Sequence, residues 1–155
     1  MSAIDENGFS LLELMVALAI AALLFAVLMP TNSRRRGHIE LASSAREVAA
    51  ALRLTRSRAI TANRPMAVVV DVQNDFYQPP GAPAPRPFPR GTRIALYTTE
   101  DEELSEAVGT IRFYPDGSST GGGVGLSLGG DRYDVLVDWL TGGVSIHERP
   151  EAPRR

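Results

Sequence analysis

The sequence predicts an α+β protein, with helices in the first part of the chain and short β-strands in the remainder. Residues 9–29 form an apolar run, FSLLELMVALAIAALLFAVLM, that contains one charge. An amphipathic helical pattern follows this run, and later segments alternate apolar and polar residues between glycine- and proline-rich turns. The chain has 155 residues, and one domain for about every 150 residues is the usual expectation.

The apolar run has the length of a membrane span. Its 21 residues would form a helix about 30 Å long, which matches the hydrocarbon core of a bilayer. The run is too long for a removable secretory signal, and no A-x-A-like site follows it. Its only charge is Glu13, which costs roughly 3 kcal/mol in hydrocarbon. We therefore expect a transmembrane helix over residues 9–29, in which Glu13 is either a functional residue or a snorkelling glutamate.

The second helical pattern is amphipathic and ends before the segment Asn63-Arg64-Pro65. Its apolar and small residues recur at alternating spacings of four and three, at Leu41, Ala45, Val48, Leu52, Thr55 and Ala59. Arg46, Arg53 and Arg56 lie between them and are interpreted as a solvated face. With weak points at Pro30 and Gly37, residues 9–62 are compatible with one long, bent helix.

Four segments read as strands, and the intervening segments read as connections. The predicted strands are residues 66–72, 93–98, 110–114 and 133–139, the last of which forms a hairpin with residues 144–146. The predicted connections are the proline-rich residues 78–90, the acidic residues 100–106 and the glycine-rich residues 118–130. We interpret these as a rigid connector, a solvated loop without calcium-ligand spacing, and turns between short strands.

The composition excludes several kinds of site. The chain has no cysteine, which excludes disulfides, thiolate metal sites and thiol nucleophiles. All 16 basic residues are arginine, and the absence of lysine excludes a Walker A loop and Schiff-base catalysis. The formal net charge of −2 does not indicate nucleic acid as a partner, because proteins that bind it usually carry a basic excess.

The run GFSLLE at positions 8–13, followed by the apolar segment and Pro30, resembles the prepilin signature of type IV pilins and type II secretion pseudopilins. The resemblance implies that a membrane peptidase removes a leader of residues 1–8 by cutting between Gly8 and Phe9, and then methylates Phe9. It makes Glu13 the family's assembly glutamate, which pairs with the Phe9 amine of a neighbouring subunit, and Pro30 the site of a helix kink.

The rest of the chain resembles the H-type minor pseudopilins of type II secretion and similar minor pilins of type IV pili. The runs FYPDGSSTGG at 113–122 and VDWLTG at 137–142 carry this resemblance. It implies a type IV pilin-like fold, in which a long N-terminal helix packs on a C-terminal antiparallel β-sheet domain. The expected segments are an amphipathic helix over 30–63, a β-rich domain over 64–148 and a tail over 149–155.

The resemblance implies a structural subunit at or near the tip of the type II secretion pseudopilus, which supports the export of folded proteins across the outer membrane and needs no cofactor. The implied partners are other major and minor pseudopilins, the prepilin peptidase, the inner-membrane platform and the secreted substrate. The implied location is the inner membrane, crossed once, with the C-terminal domain in the periplasm.

Two other functions remain open at this stage. One is a minor pilin of a type IV pilus, acting in assembly priming or DNA uptake. The other, less favoured, is a membrane-anchored periplasmic enzyme with a carboxylate site. No catalytic residue is assigned, because acid pairs such as Asp134 and Asp138 fit the outer face of a strand. The two histidines, His38 and His147, fit no metal-ligand spacing.

Overall fold

The computed structural model describes residues 10–28, 33–99, 102–105 and 107–150. The chain divides into two compact units, Met1–Ser33 and Arg34–Arg155. Helix α1, Leu11–Leu28, belongs to the first unit. Helix α2, Ser33–Thr61, begins at the boundary, and the second unit contains the rest of it together with the strands.

The second unit contains two antiparallel sheets. One has the strand order β3-β2-β1-β6-β5 and the other has the order β4-β7-β8-β9. The strands are β1 (Met66–Asp71), β2 (Phe76–Gln78), β3 (Arg86–Pro87), β4 (Arg93–Tyr97), β5 (Glu103–Ser105), β6 (Val108–Phe113), β7 (Gly122–Leu128), β8 (Asp131–Val137) and β9 (Val144–Pro150). The prediction of an α+β fold with a helix packed on antiparallel sheets is confirmed.

Helix α2 packs its apolar face into the core that both sheets share. The expected helix positions Leu41, Ala45, Val48, Leu52 and Ala59 are all at most 1% exposed. Alternate strand residues meet them, and the most buried are Val68, Val70, Ile111, Phe113, Val124, Leu126 and Val135. Burial of one such aliphatic side chain contributes roughly 1.5–3 kcal/mol, so this interface holds the helix on the sheets.

Helix α2 ends in a Schellman motif. The Arg64 amide donates to the Ala59 carbonyl at 3.2 Å, and the Asn63 amide donates to the Ile60 carbonyl at 3.2 Å. Asn63 adopts a left-handed conformation, with φ of 48°. Asparagine tolerates this conformation better than most residues, and Pro65 cannot continue the helix. The local sequence therefore explains both the end of the helix and the change of chain direction.

The interpretation of residues 118–130 as turns is wrong for β7, which lies at the centre of its sheet between β4 and β8. Val124 and Leu126 are fully buried, while the intervening glycines leave room for neighbouring side chains. A Cβ added at Gly125 would lie 2.9 Å from Asp134 Oδ1. The strand is glycine-rich because its second face is crowded.

Two other predicted connections also contain strands. Residues 78–90 include β3, which pairs with β2, and residues 100–106 include β5, which pairs with β6. Both strands are only two or three residues long. Strands this short show no periodic pattern in the sequence. The proline content of residues 78–90 and the acidity of residues 100–106 therefore indicated connections instead of strands.

Candidate assembly surface

Helix α1 is apolar on every side and exposes its large side chains. Its sequence, LLELMVALAIAALLFAVL, contains Glu13 as the only charged residue. The exposed fractions lie between 49% and 77% for Leu11, Leu12, Leu14, Met15, Val16, Leu18, Ile20, Leu23, Leu24 and Phe25. A helix that is apolar all round is typical of an environment of lipid or neighbouring helices.

Glu13 lies in the first turn of α1 and its side chain is exposed. A carboxylate in this turn is stabilised by the positive end of the helix dipole. Ser10, whose carbonyl accepts the first helical hydrogen bond from the Leu14 amide at 3.1 Å, stands three residues before Glu13. This S-x-x-E spacing is that of a capping box. Glu13 therefore has two possible uses, as a cap of its own helix and as an anion for a cation from another chain.

The other predicted assembly residues, Gly8, Phe9 and Pro30, lie outside the described residues. The cleavage site and the helix kink accordingly stay predictions. Met29, the last residue of the expected transmembrane helix, also lies outside them. Within the ranges that the structure describes, no helix is both long enough and apolar enough to cross a membrane.

Three arginines of α2 donate hydrogen bonds to backbone carbonyls of other segments. We call them the arginine clamps, and the sequence did not indicate these contacts because it predicted only a solvated face. The pairs are Arg53 Nη2 with the Val144 carbonyl at 2.8 Å, Arg56 Nε with the Gly117 carbonyl at 2.9 Å, and Arg58 Nη1 with the Pro80 carbonyl at 3.0 Å. The clamps attach the start of β9, the 115–118 turn and the proline-rich segment to one helix.

The turn between β8 and β9 exposes two large apolar residues. Trp139 is 65% exposed and Leu140 is 64% exposed, although the predicted strand 133–139 included Trp139. Strand β8 ends earlier because Asp138 accepts hydrogen bonds from both the Thr141 amide and the Thr141 hydroxyl, each at 2.7 Å. These bonds lower the pKa of the Asp138 carboxyl below its ordinary value. The exposed pair thus sits on an ordered turn next to a charged carboxylate.

The acidic segment contains a buried carboxylate, which the prediction of a solvated loop missed. Glu102 is 6% exposed and accepts two bonds from Arg112, from Nε at 2.7 Å and from Nη2 at 3.2 Å. The Thr110 hydroxyl also donates to it. Burial alone would raise the pKa of Glu102, but the bonds from Arg112 and Thr110 outweigh it and the net shift is downward.

The aspartates Asp134 and Asp138 and the two histidines have separate partners. Asp134 binds Arg132 Nε at 3.0 Å, whereas Asp138 binds Thr141 in the turn. His38 Nδ1 lies 3.1 Å from Asp131, and His147 contacts Ser145 on its own strand. Within the described part of the chain, no group of three or more histidine or carboxylate side chains could hold a metal ion.

Comparisons with known proteins agree along most of the chain. The sequence model of the family "Type II transport protein GspH" matches residues 44–142, and that of the "Prokaryotic N-terminal methylation motif" matches residues 5–29. Type II secretion system protein H of Xanthomonas campestris pv. campestris is 30% identical over 138 residues, which cover 89% of this chain and 81% of that protein. The minor pseudopilin EpsH from the type 2 secretion system of Vibrio cholerae has a similar fold, with a TM-score of 0.54 at 16% identity over 70% of this chain and 96% of that chain.

An apolar helix with one early carboxylate, followed by a helix packed on antiparallel sheets, is the architecture of a pilin-like subunit. The chain belongs to the GspH family of type II transport proteins, because the family model covers more than half of it. The prediction of an H-type minor pseudopilin of type II secretion is confirmed by this family and by the curated relative. The methylation motif and the family together indicate a membrane-anchored periplasmic protein.

Proposed function

We propose that this minor pseudopilin lies at or near the tip of the type II secretion pseudopilus and supports the export of folded proteins across the outer membrane. The observation that carries the proposal is an exposed apolar helix with a single carboxylate, Glu13, on a chain that also has a GspH-type domain. The names of the family and of the curated relative favour secretion over a type IV pilus.

The proposed anchor is residues 9–29 in the inner membrane, with the C-terminal domain in the periplasm. The prepilin peptidase would remove residues 1–8 by cutting between Gly8 and Phe9 and would then methylate Phe9. The match of the methylation motif to residues 5–29 supports this processing. Pro30 is proposed as the site of a helix kink, because proline removes a hydrogen bond from the helix backbone.

Glu13 is proposed to join neighbouring subunits. Its carboxylate would pair with the methylated, cationic amine of Phe9 on the next subunit. Two unit charges 4 Å apart attract by about 4 kcal/mol at an effective dielectric constant of 20, which offsets much of the cost of removing them from water. The pair would fix the register between subunits, because only one stagger brings the two charges together.

We propose a structural rather than a catalytic role, since the carboxylates Asp134 and Asp138 bind different partners. The partners would be other major and minor pseudopilins, the inner-membrane platform and the secreted substrate. No cofactor enters this role, and nucleic acid is not a proposed partner.

The test compares Glu13→Gln with Glu13→Ala, because glutamine keeps the capping-box geometry and loses the charge, whereas alanine loses both. If the carboxylate pairs with a neighbour, both variants should crosslink to other pseudopilins at least 5-fold less than the wild type. The measurement is site-specific crosslinking in cells that assemble pseudopili. Intact-mass analysis checks at the same time that the product begins with N-methyl-Phe9.

The matched control is Leu14→Ala, which shortens the next side chain of α1 and keeps Glu13. It should crosslink at the wild-type level, and all three variants should fractionate with the inner membrane at wild-type abundance. A Glu13→Gln variant that crosslinks normally while Glu13→Ala fails would show that the residue only caps its own helix. Retention of Met1 or Ser2 in cells with an active peptidase would overturn the processing step.

A further inference from the structure

The turn between β8 and β9 presents its apolar residues in a fixed position. We call residues 138–143 the Trp139 knob. Its backbone is closed by bonds from the Gly142 amide to the Asp138 carbonyl at 2.8 Å and from the Asp138 amide to the Gly143 carbonyl at 2.9 Å. The Ser119 amide donates to the Trp139 carbonyl at 2.9 Å. An exposed tryptophan on an ordered turn loses little conformational freedom on binding, which is typical of residues that dominate interfaces.

The edge of the knob is acidic. Asp138 begins the turn, and Asp116 lies in the neighbouring 115–118 turn, whose Gly117 is in close contact with Gly142. Both carboxylates are exposed. The Ser118 hydroxyl and amide lower the pKa of the Asp116 carboxyl, as Thr141 does for Asp138. The Arg56 guanidinium is partly buried beside Gly117 and Gly142 and donates to the Gly117 carbonyl, so Asp116 and Asp138 are the exposed charges of the two turns.

A second surface lies between α2 and the proline-rich segment. We call it the proline groove, and its cavity has a volume of about 450 Å³. The α2 side is formed by Ala50, Ala51, Leu54 and Arg58. The opposite side is formed by Pro79 and residues 81–86, which together include three prolines. Leu54 is 50% exposed at the floor. Prolines and short aliphatic side chains make a surface that suits an aromatic ring.

The edge of the groove is basic. Arg58 and Arg86 line it, and both are exposed. The bond from Arg58 to the Pro80 carbonyl at 3.0 Å fixes the distance between helix and proline-rich segment. The groove is therefore an apolar depression with arginines at its edge, and the knob is an apolar projection with carboxylates at its edge.

We propose that the Trp139 knob of one copy of this chain docks in the proline groove of a second copy. Indole and leucine side chains would fill the groove, while Asp138 and Asp116 would face Arg58 and Arg86. Such charge complementarity fixes orientation and disfavours a knob-to-knob contact, where like charges would meet. Because the two surfaces differ, the contact is head to tail, and each pair leaves one knob and one groove free. The proposal does not depend on the position of the protein in a pseudopilus.

The absence of cysteine from the chain permits a clean crosslinking test with the full-length protein in detergent. Leu140→Cys places a thiol on the knob and Leu54→Cys places one in the groove. Under mild oxidation, a mixture of the two variants should give a disulfide-linked dimer at least 10-fold more than either variant alone. The dimer should contain one chain of each variant, which isotope labelling of one variant and intact-mass analysis can verify.

Two further variants separate docking from chance encounter and from contacts made through α1. Ile39→Cys puts a thiol on the same helix at a similarly exposed residue, 61% against 50% for Leu54, but away from the groove. When Ile39→Cys is mixed with Leu140→Cys, the yield of disulfide-linked dimer should be no higher than for either variant alone. Adding Arg86→Glu to Leu54→Cys should lower the mixed dimer at least 5-fold. Equal crosslinking through Ile39→Cys, dimers of Leu140→Cys with itself, or no mixed dimer would overturn the proposal.

Discussion

At the scale of single residues, Glu102 is a buried carboxylate with a defined cation. Its side chain is 7% exposed, while that of Arg112 is 39% exposed. The pair therefore differs from a fully buried one, because Arg112 remains partly hydrated if its partner is lost. Most of the cost of losing the carboxylate would come from the hydrogen bonds to the Arg112 guanidinium and the Thr110 hydroxyl.

Glu102→Gln should destabilise the protein by about 2 kcal/mol at pH 7, the usual size for hydrogen bonds to a charged group. The folded pKa of Glu102 lies below its ordinary value of 4.5. The stabilisation is therefore fully present above that value and is lost as pH falls through the folded pKa. Denaturant unfolding followed by circular dichroism from pH 7 to pH 3 should show the difference between the two proteins shrink.

Glu47→Gln is the matched control, because Glu47 is an exposed carboxylate on α2. Its unfolding free energy should stay within about 0.5 kcal/mol of the wild type. A Glu102→Gln deficit that is the same at pH 3 and pH 7 would mean that side-chain shape, rather than charge, holds this segment.

Single residues were predictable where a local pattern defined them. Glu13 stands out in any apolar run as its one charge. Glu102 and Trp139 could not be recognised from their local sequence, because the environment of each depends on contacts with other residues of the fold. The Glu102 carboxylate binds Arg112 of strand β6, and the bonds of Asp138 to Thr141 end β8 before Trp139.

At the scale of elements, the end of α2 depends on one left-handed residue. Glycine adopts that conformation without steric cost, whereas most L-residues lose roughly 1–2 kcal/mol there. Asn63, with φ of 48°, has a steric cost between that of glycine and that of most other residues. Its position sets the direction in which the chain enters β1, three residues later.

Asn63→Gly should leave the unfolding free energy unchanged or raise it by a few tenths of a kcal/mol, while Asn63→Ala should lower it by about 1 kcal/mol. Thermal unfolding of both variants and the wild type, measured side by side, gives the order of their stabilities. An alanine variant as stable as the glycine variant would mean that the helix ends without the left-handed turn.

Among the elements, strands rich in β-branched and aromatic residues were predictable, and strands made of small or proline residues were not. The segments 66–72 and 110–114 are rich in β-branched and aromatic residues, and the structure has β1 and β6 there. In β7, glycines alternate with Val124 and Leu126. That alternation was a usable signal, but glycine content suggested turns because the crowding by Asp134 and its neighbours cannot be seen from one strand.

At the scale of the whole molecule, the buried apolar core formed by the described residues belongs to the unit Arg34–Arg155. Helix α2 supplies one wall of that core and the two sheets supply the rest. The unit therefore contains all the apolar surface that its own helix needs to bury.

The fragment 34–155 should fold alone in water, with a cooperative thermal transition by circular dichroism. The fragment 65–155 is the matched control and should not fold, because it loses the buried α2 residues Leu41, Ala45, Val48, Ala49, Leu52 and Ala59. A disordered or aggregated 34–155 fragment would mean that α1 contributes to the stability of the domain. Cooperative folding of the shorter fragment would show that the sheets need no helix.

The arginine clamps have a mechanical consequence. Arg53 and Arg58 are five residues apart, so all three clamps act within about 7.5 Å of helix length. Each joins the helix to the peptide backbone of another segment, a strand in the case of Arg53, rather than to a side chain. A displacement of α2 would therefore move three segments together with the helix. They are the start of β9, the 115–118 turn and the proline-rich segment. Because all three bonds start from one helix, the three segments would keep their spacing when a force displaces that helix.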